Sequence, residues 1–180
     1  KNKDFVETTF KNWKNMIFIH KNIDNVDRGI YSALLKSPEF YENLSQWGHV
    51  LIYQTDALLL RKIDDIYFNY DYIGAPWILS NQWCKYNAGN GGFSLRNVKA
   101  CIKVCEPNRN KNYNLIHRGN EDGYFCSQDS FKYPNFNTTL HKMFSVERVN
   151  IPNPIGCHQI YHCYTMSGQQ WNEFTDYMKM

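Results

Sequence analysis

The stretch His49-Val50-Leu51-Ile52-Tyr53-Gln54-Thr55-Asp56, HVLIYQTD, decides how the chain reads. Its apolar run is nearly unbroken and stops abruptly at three polar residues. A strand covered on both faces needs such a run, because apolar/polar alternation is expected only where one face meets water. The stretch therefore predicts a central strand of an α/β sheet. Its carboxyl end is where function is expected, since loops converge there without interrupting the sheet's hydrogen bonds.

The flanking pattern supports the same class. Upstream, NMIFIH (residues 15–20) predicts a short buried strand. Next, VDRGIYSALLKS places Ile30, Ala33, Leu34 and Leu35 at helical spacing. SPEFYENLSQW starts a second helix, with Ser37 as cap and Pro38 at the first helical position. Downstream, YDYIGAPW (residues 70–77) is a short strand closed by Gly74 and Pro76, and GGFSL (residues 91–95) precedes a helix from about Asn97. The Asn/Lys-rich stretch from Glu106 to Asn120 reads as a loop. Glu121 and Asp122 open a helix, FSVERV (residues 144–149) is a late strand, and residues beyond Gln169 form a terminal amphipathic helix that packs Trp171, Phe174 and Met178.

Bulk properties exclude several classes. The chain has 180 residues, and its 43% hydrophobic and 16% aromatic content is too apolar for a disordered chain, so residues 1–180 are expected to form a single domain. A net charge of +3 without a Lys/Arg block gives no nucleic-acid footprint and leaves anionic small molecules as partners. No apolar run is long enough to span a bilayer. The start at Lys1, with neither an initiator Met nor an apolar leader, is expected of a fragment of a longer chain. Six irregularly spaced cysteines in a chain of this size predict reduced thiols and a cytoplasmic setting.

Four places carry chemistry. Asp56 at the strand end suits a hard divalent cation, or simply caps the next turn. The segment Ala88-Gly89-Asn90-Gly91-Gly92 has three glycines in four positions, which lets backbone approach a ligand; a tight turn before a strand is the plainer alternative. Glu121 and Asp122 supply a general base, or the acidic start that a helix dipole favours. IGCHQIYHCY (residues 155–164) has four Cys and His side chains of the type that binds zinc. Each Cys touches its His in sequence, however, whereas paired ligands of structural zinc are normally separated by two or more residues. Gly156 and the prolines before it predict a loop at His158.

Taken together, LIYQTDALLLR, YDYIGAPW, GNGGFSLRN, NEDGYFC and FSVE followed by GCH resemble, from about Trp13 to His162, a glycosyltransferase-like domain family of formerly unknown function found in large viruses and microbes. The resemblance implies a GT-A-like (Rossmann-like) mixed central sheet flanked by helices, in which the first nucleotide-binding strand and helix are either lacking or lie upstream of Lys1. It implies a Mn²⁺- or Mg²⁺-dependent glycosyltransferase that moves a sugar, with inversion, from a nucleotide-sugar donor to a hydroxyl of a glycan or protein acceptor. On this basis Asp56 and His158 bind the metal, Gln54 stands where the family's acidic motif has its first Asp and instead bonds the donor, and Gly91 and Gly92 lie against donor and acceptor. Asp122 is the base, and Glu121 orients substrate. Cys157, His162 and Cys163 then pack around His158. The alternative is a nucleotide-sugar- or glycan-binding domain without catalysis, and a third reading is a structural zinc domain built on the tail.

Overall fold

Local capping chemistry decides where the main helices begin. Asp27 is followed by a run of apolar residues at helical spacing, and in the computed structural model its Oδ1 accepts from the Ile30 amide at 2.8 Å. Asn97 does the same for the Ala100 amide at 3.1 Å. The structure describes residues 3–19, 21, 23, 25–77, 84–116, 119–136, 138–147 and 151–159. In chain order its elements are α1 (Lys3–Thr9), α2 (Arg28–Leu35), α3 (Pro38–Glu42), β1 (His49–Tyr53), β2 (Ala57–Leu59) and β3 (Tyr72–Ala75). They continue with β4 (Asn90–Asn97), α4 (Val98–Cys105), α5 (Glu121–Phe125), α6 (Thr139–Phe144), β5 (Ser145–Val146) and β6 (Gly156–His158). The chain is thus α/β.

The described strands form two small sheets, ordered β1-β4-β3 and β2-β6-β5, where one mixed central sheet was expected. The first is antiparallel throughout, with β1 running against β4 from His49 opposite Asn97 to Tyr53 opposite Phe93. In the second, β6 is antiparallel to β2 and parallel to β5. The HVLIYQTD strand therefore sits at a sheet edge, with Tyr53 49% exposed, and the central strand is β4, buried from Gly91 to Arg96. An apolar run shows that a strand is covered, not which neighbours it pairs with.

β4 divides the core by alternation of its side chains. Phe93 and Leu95 join Tyr67, Ile73, Phe144 and Ile155 in one cluster. The opposite face carries Ser94 and Arg96 toward Tyr41, Tyr72 and Phe125, beside the buried Val98, Cys101 and Cys105 of α4. Those last three recur at helical spacing and give α4 its inner stripe.

Other expectations give way. Residues 15–19 of NMIFIH form no strand, and Ile17 is 64% exposed; β-branched residues need a partner strand, and none of the described strands lies beside them. Ser37 precedes α3 as expected, but its hydroxyl donates back to the Leu34 carbonyl and does not cap. Phe144 ends α6, so among the described residues the late strand is Ser145–Val146; positions 148 and 149 of its expected span lie outside them. His158 lies in β6, not a loop, because β6 is paired on both sides. The expected terminal helix, His162 and Cys163 lie outside the described residues. Among the described residues, no helix is long and apolar enough to cross a membrane.

Candidate functional site

The carboxyl end of β1 meets β6 from the other sheet. The Gln54 amide donates to the Gly92 carbonyl at 2.9 Å, which continues the β1–β4 ladder one residue past the strand. The chain then turns, and Ala57 pairs with His158 as β2 begins. This connection brings three residues expected at the site together. His158 Nε2 lies 3.1 Å from Gln54 Oε1 and 3.4 Å from Asp56 Oδ1. Gln54 is oriented from its other side, since its Nε2 donates to the Tyr31 hydroxyl at 3.1 Å. The His158 side chain is 2% exposed, while the Asp56 side chain keeps 29% of its surface. His158 Nδ1 makes no hydrogen bond and faces Glu147 Oε2 at 3.9 Å.

Glycines give the imidazole its seat. A Cβ on Gly92 would stand 2.1 Å from His158 Nε2, and one on Gly156 would stand 2.3 Å from the Phe93 ring. Each sheet thus presses a ring onto bare backbone of the other. Gly91 serves a different neighbour: its Cβ would lie 2.7 Å from Glu121 Oε1 and 2.9 Å from Arg96 Nη2. Both glycines sit within β4, not in a ligand-facing loop. Ile73 opposes Leu95 and Ala75 opposes Asn90, so β4 bulges away from β3 at these positions.

On the tail motif, strand geometry separates the ligands that the sequence paired. Adjacent residues of a strand point to opposite faces. Cys157 packs with Val146, Leu58 and Leu60, while His158 faces Gly92, so the two cannot hold one ion together. Among the described residues, no group of three or more His, Cys, Asp or Glu side chains is placed to hold a metal ion.

The acidic pair divides in the same way. Glu121 is buried: its carboxylate accepts from the Ser32 hydroxyl at 3.0 Å and lies 3.9 Å from Arg96 Nη2. Arg96 is fully buried, donates to the Tyr41 hydroxyl at 2.9 Å and to Ser94 Oγ at 3.0 Å, and lies over the Tyr72 and Phe125 rings. A buried guanidinium persists only with such partners. Tyr41→Phe removes one acceptor without changing the shape of the core, and is expected to cost about 1.5–3 kcal/mol in urea denaturation, the value of a hydrogen bond to a charged group. A loss under about 0.5 kcal/mol would show that Arg96 does not depend on it.

Asp122 instead lines a cavity of about 830 Å³, together with Asn90, Glu147 and Gln159. Burial pushes its carboxyl above the ordinary value, and the neighbouring Glu121 charge adds to this; the Gly123 amide, donating to Oδ1 at 2.7 Å, and Arg96 oppose it. A carboxylate of raised proton affinity beside a cavity is the equipment of a general base. Two aromatic residues, Trp77 and Tyr124, and two basic ones, Arg28 and Lys36, line the same cavity. Sequence reasoning missed Glu147, Arg96, Tyr31 and Lys36. Only Arg96 announced itself, as a charge inside an apolar strand.

No curated protein and no solved structure matches the chain. One family model does, over residues 13–158, and it is described as a protein of unknown function, DUF5672. That span covers most of the chain and takes in β1 to β6, with Gln54, Asp56, Asp122 and His158 inside it. The chain belongs to the DUF5672 family.

Proposed function

We propose that the protein is a metal-dependent glycosyltransferase that moves a sugar from a nucleotide-sugar donor to a hydroxyl acceptor with inversion, on a GT-A-like fold. The observation that carries this reading is the meeting of Gln54, Asp56 and His158 within 3.4 Å of one ring nitrogen, with Asp122 in the adjoining cavity.

The donor set fits a hard divalent cation. Asp56 and His158 offer one oxygen and one nitrogen, Gln54 Oε1 is a second oxygen, and the part-exposed carboxylate leaves room for water and phosphate oxygens, a mixture that suits Mn²⁺ or Mg²⁺. Glu147 stands on the other side of the ring, its Oε2 3.9 Å from Nδ1, so a second carboxylate backs the imidazole. When bound, such a cation supplies positive charge against the diphosphate leaving group. Asp122 then takes the proton of the acceptor hydroxyl as that oxygen bonds to the anomeric carbon. Glu121, tied to Ser32 and Arg96, keeps a second negative charge beside Asp122 and so sustains its basicity.

A thermal-shift screen of nucleotides and nucleotide sugars, with and without Mn²⁺, tests the reading, because a ligand that binds the native state must raise its apparent stability. At ligand concentrations a hundredfold above Kd the stabilisation is about 2.7 kcal/mol. The expected result is a nucleotide-sugar response that needs Mn²⁺ and disappears in Asp56→Ala. No response in any combination sinks it. The Gln54–His158 contact, which gives Nε2 a partner without a cation, favours a second reading as a sugar-binding domain without catalysis. Donor binding indifferent to Mn²⁺, with no turnover, would select that reading.

A further inference from the structure

Helix α2 turns one face to the cavity and the acidic pair. Arg28, Ser32 and Lys36 recur every four residues, the spacing that stacks side chains on one side of a helix. Ser32 bonds Glu121, while Arg28 and Lys36 line the cavity about 12 Å apart along the axis, at 1.5 Å per residue. Arg28 is exposed, but Lys36 is 2% exposed. A lysine normally threads its ammonium to water. Here the Lys36 ammonium donates to the Gly119 carbonyl, and its own carbonyl is held by Asn108 Nδ2 at 3.0 Å. Burial lowers its pKa, and the charges of Glu121 and Asp122 counter that fall. The chain therefore keeps a desolvated cation in a cavity wall, within electrostatic reach of Asp122.

Asp122 and Glu147 line the same cavity, so an anion is disfavoured beside them and favoured along the α2 wall. Trp77 and Tyr124 also line the cavity, and such side chains, which join an apolar body to a polar edge, suit a sugar ring. We propose that the α2 wall recognises an oxyanion on the acceptor, a carboxylate or a phosphate carried by a sugar unit, with Lys36 and Arg28 as the recognising cations. The word acceptor rests on the glycosyltransferase reading, in which the attacking hydroxyl lies against Asp122; the charge preference does not.

Calorimetric titration of the full chain with glucuronate, glucose 6-phosphate and glucose tests this, using the wild type, Lys36→Met and Arg28→Met. At least one anionic sugar is expected to bind at least tenfold more tightly than glucose, and whichever binds better separates carboxylate from phosphate. Lys36→Met, which conserves volume, should erase the preference by tenfold or more, as loss of a charge-assisted hydrogen bond does. Arg28→Met should reduce it severalfold. No measurable binding of either anionic sugar, glucose binding as tightly as both, or an unchanged preference in Lys36→Met overturns the proposal. If Lys36→Met does not fold, Arg28→Met decides, because its exposed position leaves the core untouched: an unchanged preference overturns the proposal, a reduced one upholds it. Failure of the Mn²⁺-dependent donor response would leave this charge preference readable, so the two readings can fail separately.

Discussion

Gly92→Ala is expected to destabilise the protein by about 3 kcal/mol, the upper end of the usual cost of overpacking a core. The new methyl carbon would stand 2.1 Å from His158 Nε2 and 2.4 and 2.5 Å from two carbons of the same ring. The His158 side chain is only 2% exposed, so it cannot simply turn out into solvent, and its backbone is paired with Ala57. Either the ring rotates out of contact with Gln54 and Asp56, or β6 shifts against β4. Both outcomes should also remove the Mn²⁺-dependent donor response. Urea denaturation of Gly92→Ala, His158→Ala and the double variant isolates the contact. Removing the ring relieves the clash, so Gly92→Ala should cost little in the His158→Ala background, with a coupling of about 1–3 kcal/mol. A coupling under about 0.5 kcal/mol would show that the two residues do not touch.

Asp122→Asn is expected to lower transferase turnover about a thousandfold, within the range for loss of a general base, while making the protein more stable at neutral pH. The amide keeps the oxygen that accepts from the Gly123 amide but carries no charge into a buried position beside Glu121. The folded-state pKa of Asp122 is raised above its ordinary 3.8. Its carboxyl therefore contributes stability that is complete below the unfolded value and lost as pH rises through the folded one. At pH 7 the wild type bears that loss and the variant does not. The melting temperature of the variant should be higher at pH 7, and the gap should close below about pH 3.8. Equal turnover would remove Asp122 as the base, and a gap that persists in acid would assign the gain to another cause.

What could be read from the sequence follows the range of the forces involved. Helices α2 and α4 were legible because helix formation is local: apolar spacing marked α2, and the caps that the structure shows, Asp27 and Asn97, act within three residues. β2, β5 and β6 have only two or three residues each, and they exist because distant segments pair with them. No local pattern reports such pairing, and β1 was placed at the sheet centre for the same reason. Within the site, Gln54 and His158 are 104 residues apart, and family phrases rather than spacing joined them. Glu147 stood inside the quoted phrase FSVE without a role, because only the fold shows that it faces His158 Nδ1. The glycines were recognised as points of close approach. That the approaching groups are the protein's own His158, Glu121 and Arg96 could not be read from one dimension.

The mutual seating of His158 on Gly92 and Phe93 on Gly156 has a consequence for motion. An imidazole clamped between two sheets cannot act as a swinging gate, and it changes position only if the sheets part. The side of the cavity formed by α2 and α5 is differently built, joined across by the Ser32–Glu121 hydrogen bond and the contact of Lys36 with Gly119. A change in the spacing between the α2 cations and Asp122 would therefore have to break these two contacts, while His158 stays still.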